Sequence, residues 1–239
     1  MVDPQQLPLP APGPMPAYHR YIRLPLGKAL GWLLFTVLGP TYTKHRSRIP
    51  KKGGLLVLSN HQADVDPILV QIACGRPIHF MAKEELFEMP VIGRWIVKLN
   101  AFPVKRGEPD RWAIKRAVAL LKAGEVVCVF PEGELSQSGE ILPLKEGVAL
   151  LVRMSGARAI CVGLKNTRRL MPYGSLIPRP AFRLISARWS EAREFDKKSE
   201  NEEIMAWAKE QLVQLTGYPE AGPDNPQVLE RTEAQSAVP

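Results

Sequence analysis

The residues best able to do chemistry lie in Asn60-His61-Gln62-Ala63-Asp64-Val65-Asp66-Pro67, where one imidazole stands within local reach of two carboxylates. An imidazole can take a proton from an alcohol while the alcohol attacks an acyl carbon. Such a base needs a partner that holds its tautomer and stabilises the imidazolium, the part a carboxylate plays in hydrolase triads. On one continuous helix His61 and Asp66 would not share a face. The pair works only with His61 in a turn and Asp66 at a helix start. The Asp-Pro step suits this, with Asp66 as N-cap and Pro67 in the first turn. The same residues also fit a helix start without chemistry, Asn60 and His61 merely closing the turn.

Two further stretches place polar groups where strands end. Ala101–Val104 runs straight into Lys105 and Arg106. A fork of donors beside a point charge on a rigid element suits phosphate recognition, although any surface Lys-Arg pair looks alike. Val126–Gly139, VVCVFPEGELSQSG, leads an apolar strand into Pro131, Glu132, Gly133 and a run of small polar residues. That loop can present backbone N–H groups and a carboxylate to a ligand, or simply end the strand. Lys145 and Gly147 open the next helix and add positive charge. The histidines and cysteines show no zinc-like spacing, and no metal is expected. Cys74, Cys128 and Cys161 form no C-x-x-C pair; Cys128 and Cys161 lie in apolar runs and read as buried thiols in a reducing compartment. Neither Ser59 nor Ser136 sits in G-x-S-x-G, which argues against a serine hydrolase.

The elements that must hold these groups follow an α/β pattern. Apolar, β-branched runs at Leu55–Ser59, Ile78–Met81, Ala101–Val104, Val126–Phe130, Ala159–Leu164 and Phe182–Ala187 predict strands. Helical patterns fall at Pro67–Cys74, Val91–Leu99, Arg111–Lys122, Lys145–Met154 and Glu202–Leu215. Alternation of this kind predicts a single α/β domain, residues 51–217, with a largely parallel mixed sheet flanked by helices. Residues 1–17 are Pro-rich, lack a basic region before an apolar stretch, and are expected to be disordered rather than a secretory signal. Residues 18–50 read as a membrane-associating helical segment and linker. Its apolar part, about 24–38, is too short for a comfortable span and is flanked by Arg20, Arg23, Lys44, Arg46 and Arg48. With Trp32, Leu33 and Phe35 it suits the interface of an anionic bilayer, or burial against the domain. Residues 218–239 are polar, contain proline and are expected to form a disordered tail.

Over 239 residues the formal charge is +8 and the apolar share 45%. That is enough for a sizeable core, which excludes a wholly disordered chain, and it predicts an anionic partner. No nucleic-acid motif is present, so a membrane surface or a phosphorylated substrate is the expected partner.

Asn60-His61 with Asp66, the Phe102 to Arg106 block, Phe130-Pro131-Glu132-Gly133 and the Ala159–Leu164 strand resemble, in order, the four motifs of the glycerophosphate and lysophosphatidate acyltransferase family. The resemblance spans about Gly53–Leu164. It implies that His61 deprotonates an acceptor hydroxyl, that Asp66 orients His61, and that the hydroxyl attacks the thioester of acyl-CoA or acyl carrier protein. It further implies substrate binding by Asn60, Lys105, Arg106, Glu132, Gly133 and Lys145, with no cofactor beyond the acyl donor. The implied product is phosphatidic acid, made from 1-acylglycerol-3-phosphate at the cytoplasmic face of a membrane by a peripheral or monotopic enzyme. Two positions depart from the pattern. Glu134 and Leu135 follow Gly133 where the family commonly has Thr and a basic residue, and Cys161 stands where a proline is usual. The Ser136–Gly139 run is similar to that of members acylating lysophosphatidylethanolamine. The alternatives are therefore another lysophospholipid acceptor, or a non-catalytic lipid-binding protein of the same fold.

Overall fold

The computed structural model describes residues 24–90, 92–105, 110–175 and 177–236. The expectation for residues 1–17 and that for Arg106 lie outside the described residues.

The chain orders its elements as α1 (Leu24–Leu38), β1 (Thr41–Lys44), β2 (Leu55–Ser59), α2 (Asp66–Ala73), β3 (Ile78–Lys83), α3 (Glu85–Glu88), α4 (Ile92–Lys98), β4 (Ala101–Val104) and α5 (Arg111–Lys122). There follow β5 (Val126–Val129), α6 (Gly147–Ser155), β6 (Arg158–Lys165), α7 (Thr167–Leu170), β7 (Ile185–Trp189), α8 (Asn201–Thr216) and α9 (Pro226–Ser236). The strands form a sheet in the order β1-β7-β6-β2-β5-β3-β4. Every pairing is parallel except β6 with β7. The mixed, largely parallel sheet expected from the sequence is thus present.

All five residues of central β2 are buried, because helices cover both of its faces. Its alternate side chains feed two cores. Leu55 and Val57 join Leu69, Val70 and Ile72 of α2, whereas Leu56 and Leu58 join Ala117 and Leu121 of α5 and Leu212 of α8. Each such leucine stabilises the fold by about 1.5–3 kcal/mol relative to exposure. Pro103 cannot donate to a ladder, and it sits in β4, an edge strand that needs no donor on its outer side.

Three expectations need correction. The stretch taken as a linker contains β1, which pairs with β7 from Thr41 against Ile185, so the domain begins before residue 51. Within α1, Phe35 is buried in the core and Trp32 packs against it, while Leu33 faces solvent. The helix therefore packs on the domain with one face and leaves the opposite face exposed, so Phe35 and Trp32 belong to the core and not to an outward-facing surface. The supposed tail carries α9, whose polar side chains bond to the loop after β5. Its sequence is too polar to announce a helix by apolar periodicity, and long-range hydrogen bonds hold it instead. Among the described residues no helix is long and apolar enough to cross a membrane.

Candidate active site

Where β2 ends, the backbone turns back on itself, and the Asp66 N–H donates to the Ala63 carbonyl at 3.0 Å. Asp66 is the first residue of α2, not its cap; Val65 holds the cap position and offers no side-chain bond. The buried Asp66 carboxylate folds back over the turn. Its Oδ2 accepts the Gln62 N–H at 2.6 Å and the Ala63 N–H at 2.8 Å, and lies 3.0 Å from His61 Nδ1. An oxygen already accepting two N–H groups is an acceptor toward the ring as well. Nδ1 therefore carries the hydrogen, and Nε2 keeps a lone pair. Asp64, the other carboxylate within sequence reach, is exposed and makes no such bond to His61. Phe130 stacks on the imidazole with ring centroids 3.9 Å apart, which fixes the ring plane.

Behind this turn lies a buried frame. Asn60 donates through Nδ2 to the Leu164 carbonyl and accepts the Leu164 N–H at Oδ1, at 3.0 and 2.7 Å, so its amide joins the end of β2 to β6. Glu132 accepts the His61 N–H at Oε1 and the Leu142 N–H at Oε2, at 2.8 and 2.9 Å. Burial pushes its carboxyl up to about 8, against the pull of those two donors. Asn60 and Glu132 were expected to touch substrate; both are fully buried with their polar atoms taken by backbone, so they position the turn instead. Ser59 and Ser136 are likewise buried, their hydroxyls donating to backbone carbonyls, which leaves neither placed as a nucleophile.

His61 opens on a groove of about 1760 Å³. That exceeds the roughly 300–1,000 Å³ of a pocket for one drug-sized ligand, and leaves room for two long substrates. Ile68 and Ile72 of α2, Leu86 of α3 and Ile96 of α4 give it an apolar lining. Lys105, Gly133 and Lys145 line the same groove, so the structure gathers them with His61. The Asp110 carboxylate accepts the Lys105 N–H at 2.9 Å and caps α5 through Ala113, which ties the end of β4 to that helix. Gly133 has φ +75°, and a Cβ there would collide with the Lys145 side chain. The left-handed backbone favours glycine here, whereas the flexible end of Lys145 could move aside.

Arg231 of α9 went unnoticed in the sequence because its neighbours looked like a tail. It pairs with Glu134 through Nε at 2.5 Å, and donates to the Glu132 and Pro143 carbonyls at 2.7 and 2.9 Å. The anion at Glu134 is thereby answered by a cation from the far end of the chain. The only advance signal was the unbalanced Glu134 itself.

From β1 to the end of β6, residues 41–165 match the family model described as Acyltransferase. A 1-acyl-sn-glycerol-3-phosphate acyltransferase of Bacillus subtilis is 33% identical over 126 residues, which is 52% of this chain and 62% of that one. The chloroplastic 1-acyl-sn-glycerol-3-phosphate acyltransferase BAT2 of Brassica napus is 33% identical over 120 residues, 49% of this chain and 35% of that one. The matched region thus spans less than two thirds of either relative. The crystal structure of the 1-acyl-sn-glycerophosphate acyltransferase PlsC from Thermotoga maritima superposes with a TM-score of 0.66 at 26% identity, covering 80% of this chain and 77% of that one. The family match begins at the edge strand, encloses the His61–Asp66 turn and ends on the strand that pins Asn60, and by it this chain belongs to the acyltransferase family.

Proposed function

We propose that the chain transfers an acyl group from acyl-CoA or acyl carrier protein to the free hydroxyl of 1-acylglycerol-3-phosphate, giving phosphatidic acid. The observation that carries this reading is the His61–Asp66 pair, with Nδ1 held at 3.0 Å and Nε2 available beside a long apolar groove. Nε2 takes the hydroxyl proton as the alcohol oxygen bonds to the thioester carbon. The tetrahedral intermediate then expels the thiolate, which takes up that proton, so ester and thiol form together. Asp66 stabilises the imidazolium between the two transfers. Lys105 and Lys145 supply charge for the acceptor phosphate, with Arg106 as a third donor in sequence. The names of the relatives support the same acceptor.

We place the reaction at the cytoplasmic face of an anionic membrane, the protein being peripheral or monotopic. Supporting this, α1 turns Leu26, Leu30, Leu33 and Val37 outward and is followed by Lys44 and Arg46. One observation favours a second acceptor, lysophosphatidylethanolamine. Glu134 lines the groove and would meet an ammonium headgroup, but Arg231 already answers its charge, so lysophosphatidate ranks first. The test is mass-spectrometric detection of acylated product from a panel of lysolipids, each offered both donors. Product from lysophosphatidate alone supports the reading. Absence of product from every lysolipid overturns it in favour of a binding protein.

A further inference from the structure

Two long stretches of the chain, residues 4–63 and 147–190, contain no carboxylate at all. The first includes α1. At about 100° per residue, Leu26, Leu30, Leu33 and Val37 fall within an arc of about 60°, with Phe35 directly opposite. The second stretch includes the segment 172–184 between α7 and β7. There Tyr173, Ile177, Phe182 and Leu184 are exposed, Phe182 at 96% and Ile177 at 78%. These side chains do not hang from a loose loop end. The Ala181 N–H donates to the Leu38 carbonyl at 2.6 Å, the Ile185 N–H to the Pro40 carbonyl at 2.8 Å, and Ala181 is buried in the same core as Phe35. The segment is therefore moored to the C-terminal end of α1. Arg169, Arg179 and Arg183 are exposed around it, and among the described residues none of them makes an ion pair.

We propose that residues 172–184 form a second membrane-insertion element, which seats Phe182 and Ile177 in the interface of an anionic bilayer beside α1. This extends the membrane reading given above and rests on it. The occupant follows from charge and chemistry together. A protein partner of ordinary composition would not require one sign of charge around an exposed aromatic side chain. A bilayer of anionic lipids provides phosphates for Arg169, Arg179 and Arg183, whose stems can lie along apolar surface, and hydrocarbon for Phe182.

The experiment measures partition of the full chain onto vesicles of phosphatidylglycerol and of phosphatidylcholine. The double variant Ile177→Ser with Phe182→Ser should lose at least about tenfold in partition onto phosphatidylglycerol, the scale of two apolar side chains left in water. Its turnover of detergent-dispersed substrate should be unchanged, since neither Ile177 nor Phe182 lines the groove. The pair Leu30→Ser with Leu33→Ser tests α1 separately. If that pair releases the protein while the loop variant binds like the parent, the loop proposal fails and the α1 reading stands. If neither variant is released, both fail. Phe182→Cys carrying an environment-sensitive fluorophore gives a second readout, because the native Cys74, Cys128 and Cys161 are all buried. A brighter, blue-shifted emission with phosphatidylglycerol vesicles supports insertion. The same change on concentrating the protein without lipid would mean a self-association surface and would overturn it.

Discussion

The turn that carries His61 and the loop that braces it are built in opposite ways. In the turn, one carboxylate oxygen of Asp66 gathers Gln62 N–H, Ala63 N–H and the His61 ring, all within five residues. The brace is assembled from afar. Glu132 reaches back 71 residues to the His61 N–H, and Arg231 reaches back 99 residues to the Glu132 carbonyl. Between them, Gln227 accepts the Gln137 N–H and donates to the Leu135 carbonyl, and Asn225 donates to Ser138 and Glu140. A local device of this kind supplies chemistry; the distant one supplies alignment. Removing parts of the first should therefore stop turnover, whereas removing parts of the second should mainly loosen it.

The largest effect belongs to His61→Ala. The His61 backbone N–H and carbonyl keep their bonds to Glu132 and Ser136, so the fold should survive. Transfer should fall by about a hundredfold to ten-thousandfold, the usual loss of a general base. Near-normal turnover in a folded variant would remove the turn from the chemistry altogether.

Next comes Asp66→Asn. Had Asp66 been the helix cap, this change would barely move stability, since Asn caps almost as well. Asp66 instead accepts three donors at one oxygen while Oδ1, also buried, has no hydrogen-bond partner. The new amide either keeps the two backbone bonds and buries an N–H₂ without an acceptor, or turns that N–H₂ against two N–H groups. We expect a loss of about 1–3 kcal/mol in thermal or urea unfolding. Transfer should fall on the order of a hundredfold or more, since the imidazolium loses its counter-charge. Intact activity with a lowered melting temperature would make Asp66 a structural residue only.

What the sequence disclosed follows the same divide. His61, Asp66 and five of the apolar strands could be found because turn chemistry and strand patterning are written in neighbouring residues. The run expected at Phe182–Ala187, by contrast, forms a strand only from Ile185 and leaves Phe182 and Leu184 exposed before it. β1 could not be found, since TYTK is short and three of its four residues are only partly buried at the sheet edge. Nor could the real work of Asn60 and Glu132, whose partners lie 104 and 71 residues away. The amide of Asn60 looks in sequence like any polar group beside a histidine. Only the register of β2 against β6, with Ser59 beside Val162, brings Leu164 within reach of it.

Glu132→Gln probes the brace at its buried end. One of the two backbone N–H groups would then face an amide N–H₂, so stability should drop by about 1–3 kcal/mol. Turnover should fall less than in either variant above, as the imidazole and its partner remain. A pH signature separates this residue from any other buried acid. With its carboxyl held up to about 8, the folded state binds more protons than the unfolded one above the ordinary carboxylate range. Stability contributed by this group therefore falls as pH rises toward about 8 and levels off beyond. Melting curves of Glu132→Gln should lack that decline, and an unchanged slope would mean that another group titrates.

The smallest effect should come from Arg231, at the outer end of the brace. Its guanidinium is partly exposed, so solvent screens the pair with Glu134, and the ion pair by itself is worth little. More matters in the geometry. One fork joins the Glu134 carboxylate to the carbonyls of Glu132 and Pro143, which lie on either side of the loop that holds His61. Lysine can keep the charge but cannot span three acceptors. Arg231→Lys and Arg231→Ala should therefore behave alike, each losing about 1 kcal/mol of stability and a few-fold in kcat. If the charge itself mattered, Lys would rescue Ala, and Arg231 would belong with Lys105 and Lys145 as a cation for the acceptor. Steady-state kinetics with each substrate varied in turn would then show the acceptor KM rising in the alanine variant alone. A loss in Arg231→Ala as deep as that of His61→Ala would erase the distinction between the two regions, because a residue built for alignment would then be doing chemistry.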